Sequence, residues 1–196
     1  MKPSCFPFLA LGLMAASALQ AQSFGVQLGA TWPQETLKTD LGSHAVFSGG
    51  AFLFFDEFDG NVFKPRLDVS SSHRQANYQR GAVGDGHALK LDTASLGFDY
   101  NYYFSQKGGE GWYLLLGGQV NYARSNWEAP VTPLKANRTS GAFSIGFGSV
   151  VIPHLGFEVR YTGGGKYTNF TKNDSGAWIE NRASMAGLSA SVVFLF

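Results

Sequence analysis

Leu188-Ser189-Ala190-Ser191-Val192-Val193-Phe194-Leu195-Phe196 is the stretch on which the fold turns. Leu188, Ala190, Val192, Phe194 and Phe196 share one parity, while Ser189 and Ser191 share the other. Successive strand residues point to opposite faces, so the stretch reads as a strand with one apolar and one small polar side. The same alternation recurs upstream. Phe24 to Thr31 sets Phe24, Val26, Leu28 and Ala30 against Gly25, Gln27, Gly29 and Thr31. Val62 to Ser72, Thr93 to Phe104, Trp112 to Ser125, Gly141 to Val151 and Leu155 to Gly163 repeat the pattern. Ala45 to Phe55 is less regular, because Phe47 and Phe55 lie on one parity and Phe52 and Phe54 on the other. Phe47, Ala51, Leu53 and Phe55 read as its apolar face, with a bulge at Gly49-Gly50 as the device that shifts register. The chain thus carries eight candidate strands.

The connections between them alternate in length. Asp56 to Asn61, Ser105 to Gly111 and Pro153-His154 are short. Trp32 to His44, His73 to His87, Asn126 to Asn137 and Gly164 to Asn181 are long. Short turns at one end and long loops at the other describe an up-and-down antiparallel meander, which closes into a barrel to remove its edges. No domain boundary, internal repeat or low-complexity tract interrupts it. The fold class is all-β, an eight-stranded antiparallel up-and-down barrel.

Composition narrows the function classes. A formal charge of +1 on 196 residues excludes a strongly basic nucleic-acid footprint. A mean hydropathy of −0.06 is far below that of a helical membrane bundle. A single cysteine excludes a disulfide framework or cysteine-based zinc cluster. The first residues read as an address. Lys2 precedes an apolar stretch from Phe6 to Ala18, followed by small residues to Ala21. That core of about 13 residues is short of the roughly 20 that span a bilayer, so residues 1–21 read as a secretory signal, cleaved after Ala21 or Ala18. Residues 22–196 would then form the barrel. Loss of Lys2 leaves 14 basic against 14 acidic residues, and Cys5 leaves with it.

A soluble barrel has an apolar interior, and a transmembrane barrel a polar one. The face opposite the phenylalanines is rich in Gly, Ser, Thr, Asn and Gln and carries Lys64, Arg66, Asp68, Asp99, Glu158 and Arg160. Three positive and three negative side chains balance, as a buried interior requires. Tyr100, Tyr102, Phe104 and Trp112 lie near the short-turn end of the apolar face, and Tyr122, Trp127 and Tyr161 near the long-loop end. Aromatics at both rims match the two girdles of an outer-membrane barrel. Phe24, Leu67, Leu96, Leu116, Phe147, Val159 and Val192 would face lipid.

With its last strand alternating to a terminal Phe196 and a seventh strand reading Gly156-Phe157-Glu158-Val159-Arg160-Tyr161, the chain resembles the small bacterial outer-membrane β-barrels. These include the membrane domain of outer-membrane protein A and the opacity-type surface proteins. The resemblance implies periplasmic termini, outward long loops, and recognition of Leu188, Ala190, Val192, Phe194 and Phe196 by the barrel assembly machinery.

Eight strands leave an interior just wide enough for side chains, so a wide diffusive pore is not expected. A structural or surface-interaction role in the four long loops is the leading expectation, for a monomer in outer-membrane lipid with an extracellular ligand as its partner. A narrow ion or small-solute channel and a soluble lipocalin-like barrel are the alternatives. No catalytic residue, metal or cofactor is assigned. Asp85-Gly86-His87 resembles an Asp-His pair but is more simply a glycine-rich loop tip. The Asn-x-Ser/Thr triplets at Asn137, Asn169 and Asn173 read as coincidences of polar loops.

Overall fold

The computed structural model describes residues 23–56, 61–74, 88–105, 110–128, 133–172 and 175–196. Ten strands and one helix follow in chain order: β1 (Ser23–Pro33), α1 (Glu35–Leu41), β2 (Val46–Asp56), β3 (Asn61–Arg74), β4 (Ala88–Tyr103), β5 (Gly111–Glu128), β6 (Leu134–Ile152), β7 (Leu155–Gly163), β8 (Lys166–Lys172), β9 (Trp178–Ser184) and β10 (Gly187–Leu195). Eight of them form one closed barrel in the order β1-β10-β7-β6-β5-β4-β3-β2, and β8 and β9 form a separate hairpin. Every barrel pair is antiparallel. The expected signal segment lies outside the described residues.

The seam joins the first and last barrel strands, from Gly25 opposite Leu195 to Pro33 opposite Gly187. Phe196 extends it: its amide donates to the Phe24 carbonyl at 2.8 Å, and the two rings stack with centroids 5.1 Å apart. The alternation that marks the C-terminal stretch is therefore the alternation of a closing strand, with Phe194 and Phe196 on the outside and Ser189 and Ser191 turned inward.

Register settles the second strand. β1 and β2 pair without a shift from Ser23–Phe54 to Thr31–Val46, so no bulge lies at Gly49-Gly50. Instead both parities of phenylalanine are used: Phe47 is exposed, whereas Phe52 and Phe54 fill the barrel interior. The β2–β3 ladder omits Leu53 and Phe54 opposite Pro65 and Lys64, where Pro65 offers no amide hydrogen. The register shift of the barrel lies elsewhere, between Val150 and Ile152 of β6, beside the tight Pro153-His154 turn. His154 sits there at φ 75°, a left-handed conformation that histidine tolerates better than most residues, and its Nδ1 meets the Leu195 carbonyl at 2.9 Å.

The first, third and fourth long connections are more structured than their composition suggests, whereas most of the second, His73 to His87, lies outside the described residues. β5 has 18 residues and β6 has 19, running well past the roughly ten that cross a bilayer as a tilted strand. Most of the third connection, Asn126 to Asn137, therefore belongs to β5 and β6, which pair as a ribbon out to Trp127–Leu134. The first contains α1, whose Leu37 and Leu41 are buried. The fourth is largely the β8–β9 hairpin, paired from Lys166–Ser184 to Lys172–Trp178.

Outside, the rows across neighbouring strands carry Leu67-Leu96-Val120, Pro65-Phe98 and Phe63-Tyr100-Leu116-Ile145. Phe24, Leu28, Leu116, Phe143, Phe147 and Val192 are all exposed there. From the Trp112 level upward, no outward-facing side chain of the described strands is charged until Asp92 and Arg124. Along β5 this band runs from Trp112 to Tyr122, about 25 Å in height for a strand tilted near 40°.

Candidate functional site

The lumen is layered, and each layer follows from strand parity. Nearest the short turns, Phe52, Phe54, Val62, Tyr103, Tyr113, Leu115 and Val193 form an apolar plug. The Tyr103 and Tyr113 rings lie 4.7 Å apart, centroid to centroid. Sequence parity turns these residues inward, but their collective role as a plug emerges only when the barrel closes.

Above the plug lie six charged residues of the interior among the described residues. Asp99, on β4, is fully buried and receives Arg66 at 2.9 Å, Arg160 at 2.7 Å and Lys64 at 3.6 Å. Lys64 also contacts Glu158 at 2.5 Å, and its ammonium stands 5.2 Å from the Phe52 ring centre. Glu158 pairs with Arg160 and accepts the Tyr113 hydroxyl at 3.0 Å. Arg66 pairs with Asp68 and donates to Gln119, while Gln27 donates to Asp68 at 2.5 Å. Ser144 donates to Asp99 at 3.4 Å. Lys64, Arg66, Asp68, Asp99, Glu158 and Arg160 thus form one connected cluster spanning β3, β4 and β7, with Gln27, Tyr113, Gln119 and Ser144 as further partners.

Interior glycines make room for these side chains. A methyl group at Gly117 would strike the Asp99 carboxylate, one at Gly50 the Asp68 carboxylate, and one at Gly148 the Tyr113 ring. Part of the glycine richness of the chain is therefore steric complement to its large interior residues.

A cavity of about 140 Å³, open over part of its surface, lies above the charges. Ser70, Thr93, Ser95, Asn121, Thr162 and Ser191 are among its walls, Arg66 and Glu158 reach its floor, and Leu37, Leu41 and Met185 its ceiling. The ceiling belongs to a second apolar cluster of Leu37, Leu41, Leu89, Leu91, Ala123, Tyr167 and Ala183. A helix of seven residues does not hold itself together in water, so α1 depends on this burial. Asp40 fastens it to the hairpin by accepting from the Tyr167 hydroxyl and from Asn169 Nδ2 at 2.8 Å. Burial, then the Asp40 charge, pushes the Tyr167 hydroxyl well above the ordinary tyrosine range. The hairpin in turn rests on β6, where Arg138 meets Thr168 and Glu180, each at 3.2 Å, and Lys166 donates its amide to Ser140 at 2.8 Å.

The rim aromatics separate into two groups. Tyr100, Tyr102, Phe104 and Trp112 are exposed on the outside at the short-turn end. Tyr122 and Tyr161 are half-buried and face outward at the other. Trp127 does not belong with them. Its parity on β5 is that of Leu115 and Asn121, and its ring packs inward against the cap cluster. The alternation in the sequence ends at Ser125, whereas the ladder continues to Glu128 opposite Ala88 and carries Trp127 above the barrel mouth.

The cap residues Leu37, Leu41, Asp40 and Tyr167 are not singled out by the sequence pattern. The four-residue spacing of Leu37 and Leu41 is the available sign of a helix. Asn169 is half-buried and engaged by Asp40. Asn173 and the Asp85-Gly86-His87 triplet lie outside the described residues. No group of three or more potential metal ligands occurs among the described residues.

No protein-family model matches the sequence, and no curated protein matches it. Solved structures do. The N-terminal β-barrel domain of Pseudomonas aeruginosa OprF superposes with a TM-score of 0.55 at 12% identity, over 89% of this chain and 98% of that one. A major outer membrane protein from Thermus thermophilus gives 0.52 at 12% identity, over 89% and 98%. Neisserial surface protein A gives 0.50 at 15% identity, over 89% and 96%. At such identities the likeness concerns architecture: the chain has the closed eight-stranded fold seen in these small outer-membrane barrels.

Proposed function

We propose, taking that shared fold as the premise, that this chain is a bacterial outer-membrane barrel with a non-enzymatic structural and surface-contact role. Its termini would lie on the periplasmic side, and its long-loop end would present α1, the β5–β6 ribbon and the β8–β9 hairpin to the exterior. The observation that carries the reading is the obstruction of the lumen by its own side chains. The plug and charge cluster obstruct the short-turn half, and the apolar cap lies over part of the other mouth. An eight-stranded interior filled by an aromatic floor and a paired charge cluster leaves no wide path for solutes. The cap instead has a small core of its own, as a surface meant to keep its shape requires. The partners on this reading are outer-membrane lipid, the barrel assembly machinery during insertion, and an extracellular ligand of the cap.

The cavity above the charge cluster favours one other reading, a narrow ion path opened by movement of α1. Recording from purified barrel in planar bilayers separates the two. The structural reading predicts a silent bilayer. Discrete conductance steps that change in Arg66→Ala or Glu158→Ala would establish the channel instead.

A further inference from the structure

From the Trp112 level upward, the outward-facing rows of the described strands carry no charged side chain until they reach two successive rows on β4, β5 and β6. The first reads Asp92-Arg124-Asn137 and the second Lys90-Asn126-Lys135. They begin directly above Ala94-Tyr122-Thr139, the last row of the apolar band. Lys90, Arg124 and Lys135 are exposed. The one anion among them, Asp92, is engaged by Ser71 Oγ at 2.6 Å and lies 3.8 Å from Lys90. Three cations against one partnered anion give this face a surplus of positive charge. On the opposite wall, the outward positions at the same end are Trp32, Phe47 and Leu188, with no charged side chain among the described residues.

We propose that Lys90, Arg124 and Lys135 form a docking face for anionic phosphate headgroups of the lipid leaflet around the long-loop end. The proposal rests on the outer-membrane reading above. Three features select a lipid over a soluble polyanion or a protein. The cations point away from the lumen and the cap, on the same face as the apolar band. They continue that band without a gap, so their aliphatic stems lie along it while their heads reach the headgroup layer. Neighbours on adjacent strands and rows stand about 5–8 Å apart, so one layer of phosphates meets all three. Tyr122, one row below, occupies the interfacial level that aromatic side chains favour.

The test uses the full mature chain folded in neutral detergent micelles, with folding read first from heat-modifiable gel migration. Phosphatidylglycerol and phosphatidylcholine with identical acyl chains are then supplied in equal amounts, and retained lipid is counted by native mass spectrometry. The wild type is expected to retain phosphatidylglycerol with a preference of roughly tenfold or more, since each surface cation contributes roughly fivefold. Lys90→Gln, Arg124→Gln and Lys135→Gln together are expected to abolish the preference while leaving heat-modifiable migration intact, and high salt to weaken it in the wild type. Equal retention of the two lipids by the wild type, or an undiminished preference in the triple variant, would overturn the proposal. So would displacement of the lipid by equimolar inositol hexakisphosphate, which would assign the face to soluble polyanions. A wild type that forms no folded barrel in micelles would be recognised before lipid is added and would overturn the outer-membrane reading itself.

Discussion

At Asp99, three cations converge on one carboxylate that water does not reach. Replacing it by asparagine keeps the shape and leaves the lumen with an unbalanced positive charge. Breaking a buried pair in this way costs about 3–5 kcal/mol. Asp99→Asn is therefore expected to lose that much in urea unfolding of the lipid-folded barrel. Adding Lys64→Met restores neutrality and should recover part of the loss, whereas a loss that grows additively would contradict a connected cluster. The participants on β3, β4 and β7 were legible in the sequence, because strict alternation places Lys64, Arg66, Asp68, Asp99, Glu158 and Arg160 on the polar parity. Their pairing was not, since it depends on which strands face each other across the lumen. Trp127 shows the limit of the same rule: parity is reliable only where the strand's extent is known, and β5 runs beyond the point where its alternation fades.

Among the elements, α1 and the β8–β9 hairpin are the least stable on their own and the most dependent on one another. Asp40 is the tie, accepting from Tyr167 and Asn169. A hydrogen bond to a charged group contributes about 1.5–3 kcal/mol. Asp40→Ala is expected to raise amide exchange in residues 35–41 and 166–172 by roughly ten- to a hundredfold, without altering exchange in β3 or β4. Tyr167 adds a pH dependence. Its hydroxyl is held protonated in the docked cap, with a folded value raised above the ordinary tyrosine value of about 10. Its contribution is therefore whole below about pH 10 and is lost as pH rises beyond it. Hydrogen exchange of the hairpin should quicken in alkali in the wild type and lose that extra acceleration in Tyr167→Phe. These elements were hidden in the sequence because short helices and hairpins in polar loops draw their stability from tertiary burial rather than from propensity. The barrel strands were visible because alternation over a long run is imposed by two different environments, one on each face.

Across the whole molecule, the distribution of apolar surface decides what the barrel is built for. Leu28, Phe47, Leu116, Ile145 and Val192 are exposed on a continuous outer band, while Lys64, Arg66, Asp99, Glu158 and Arg160 are buried in the lumen. A soluble barrel would reverse this arrangement, and exposed apolar areas of that extent mark contact with a membrane or a partner. Near-zero mean hydropathy is thus the average of two opposed faces. Leu116 lies in the middle of the band and is 63% exposed in the chain itself. In water a lysine there would be harmless, and only surrounding hydrocarbon makes it costly. The most direct measurement is the unfolding free energy of Leu116→Lys against wild type in lipid vesicles. A membrane-spanning barrel should lose about 2–4 kcal/mol, the cost of a lysine near the bilayer midplane. Equal stability of the two proteins would contradict a barrel that spans the membrane.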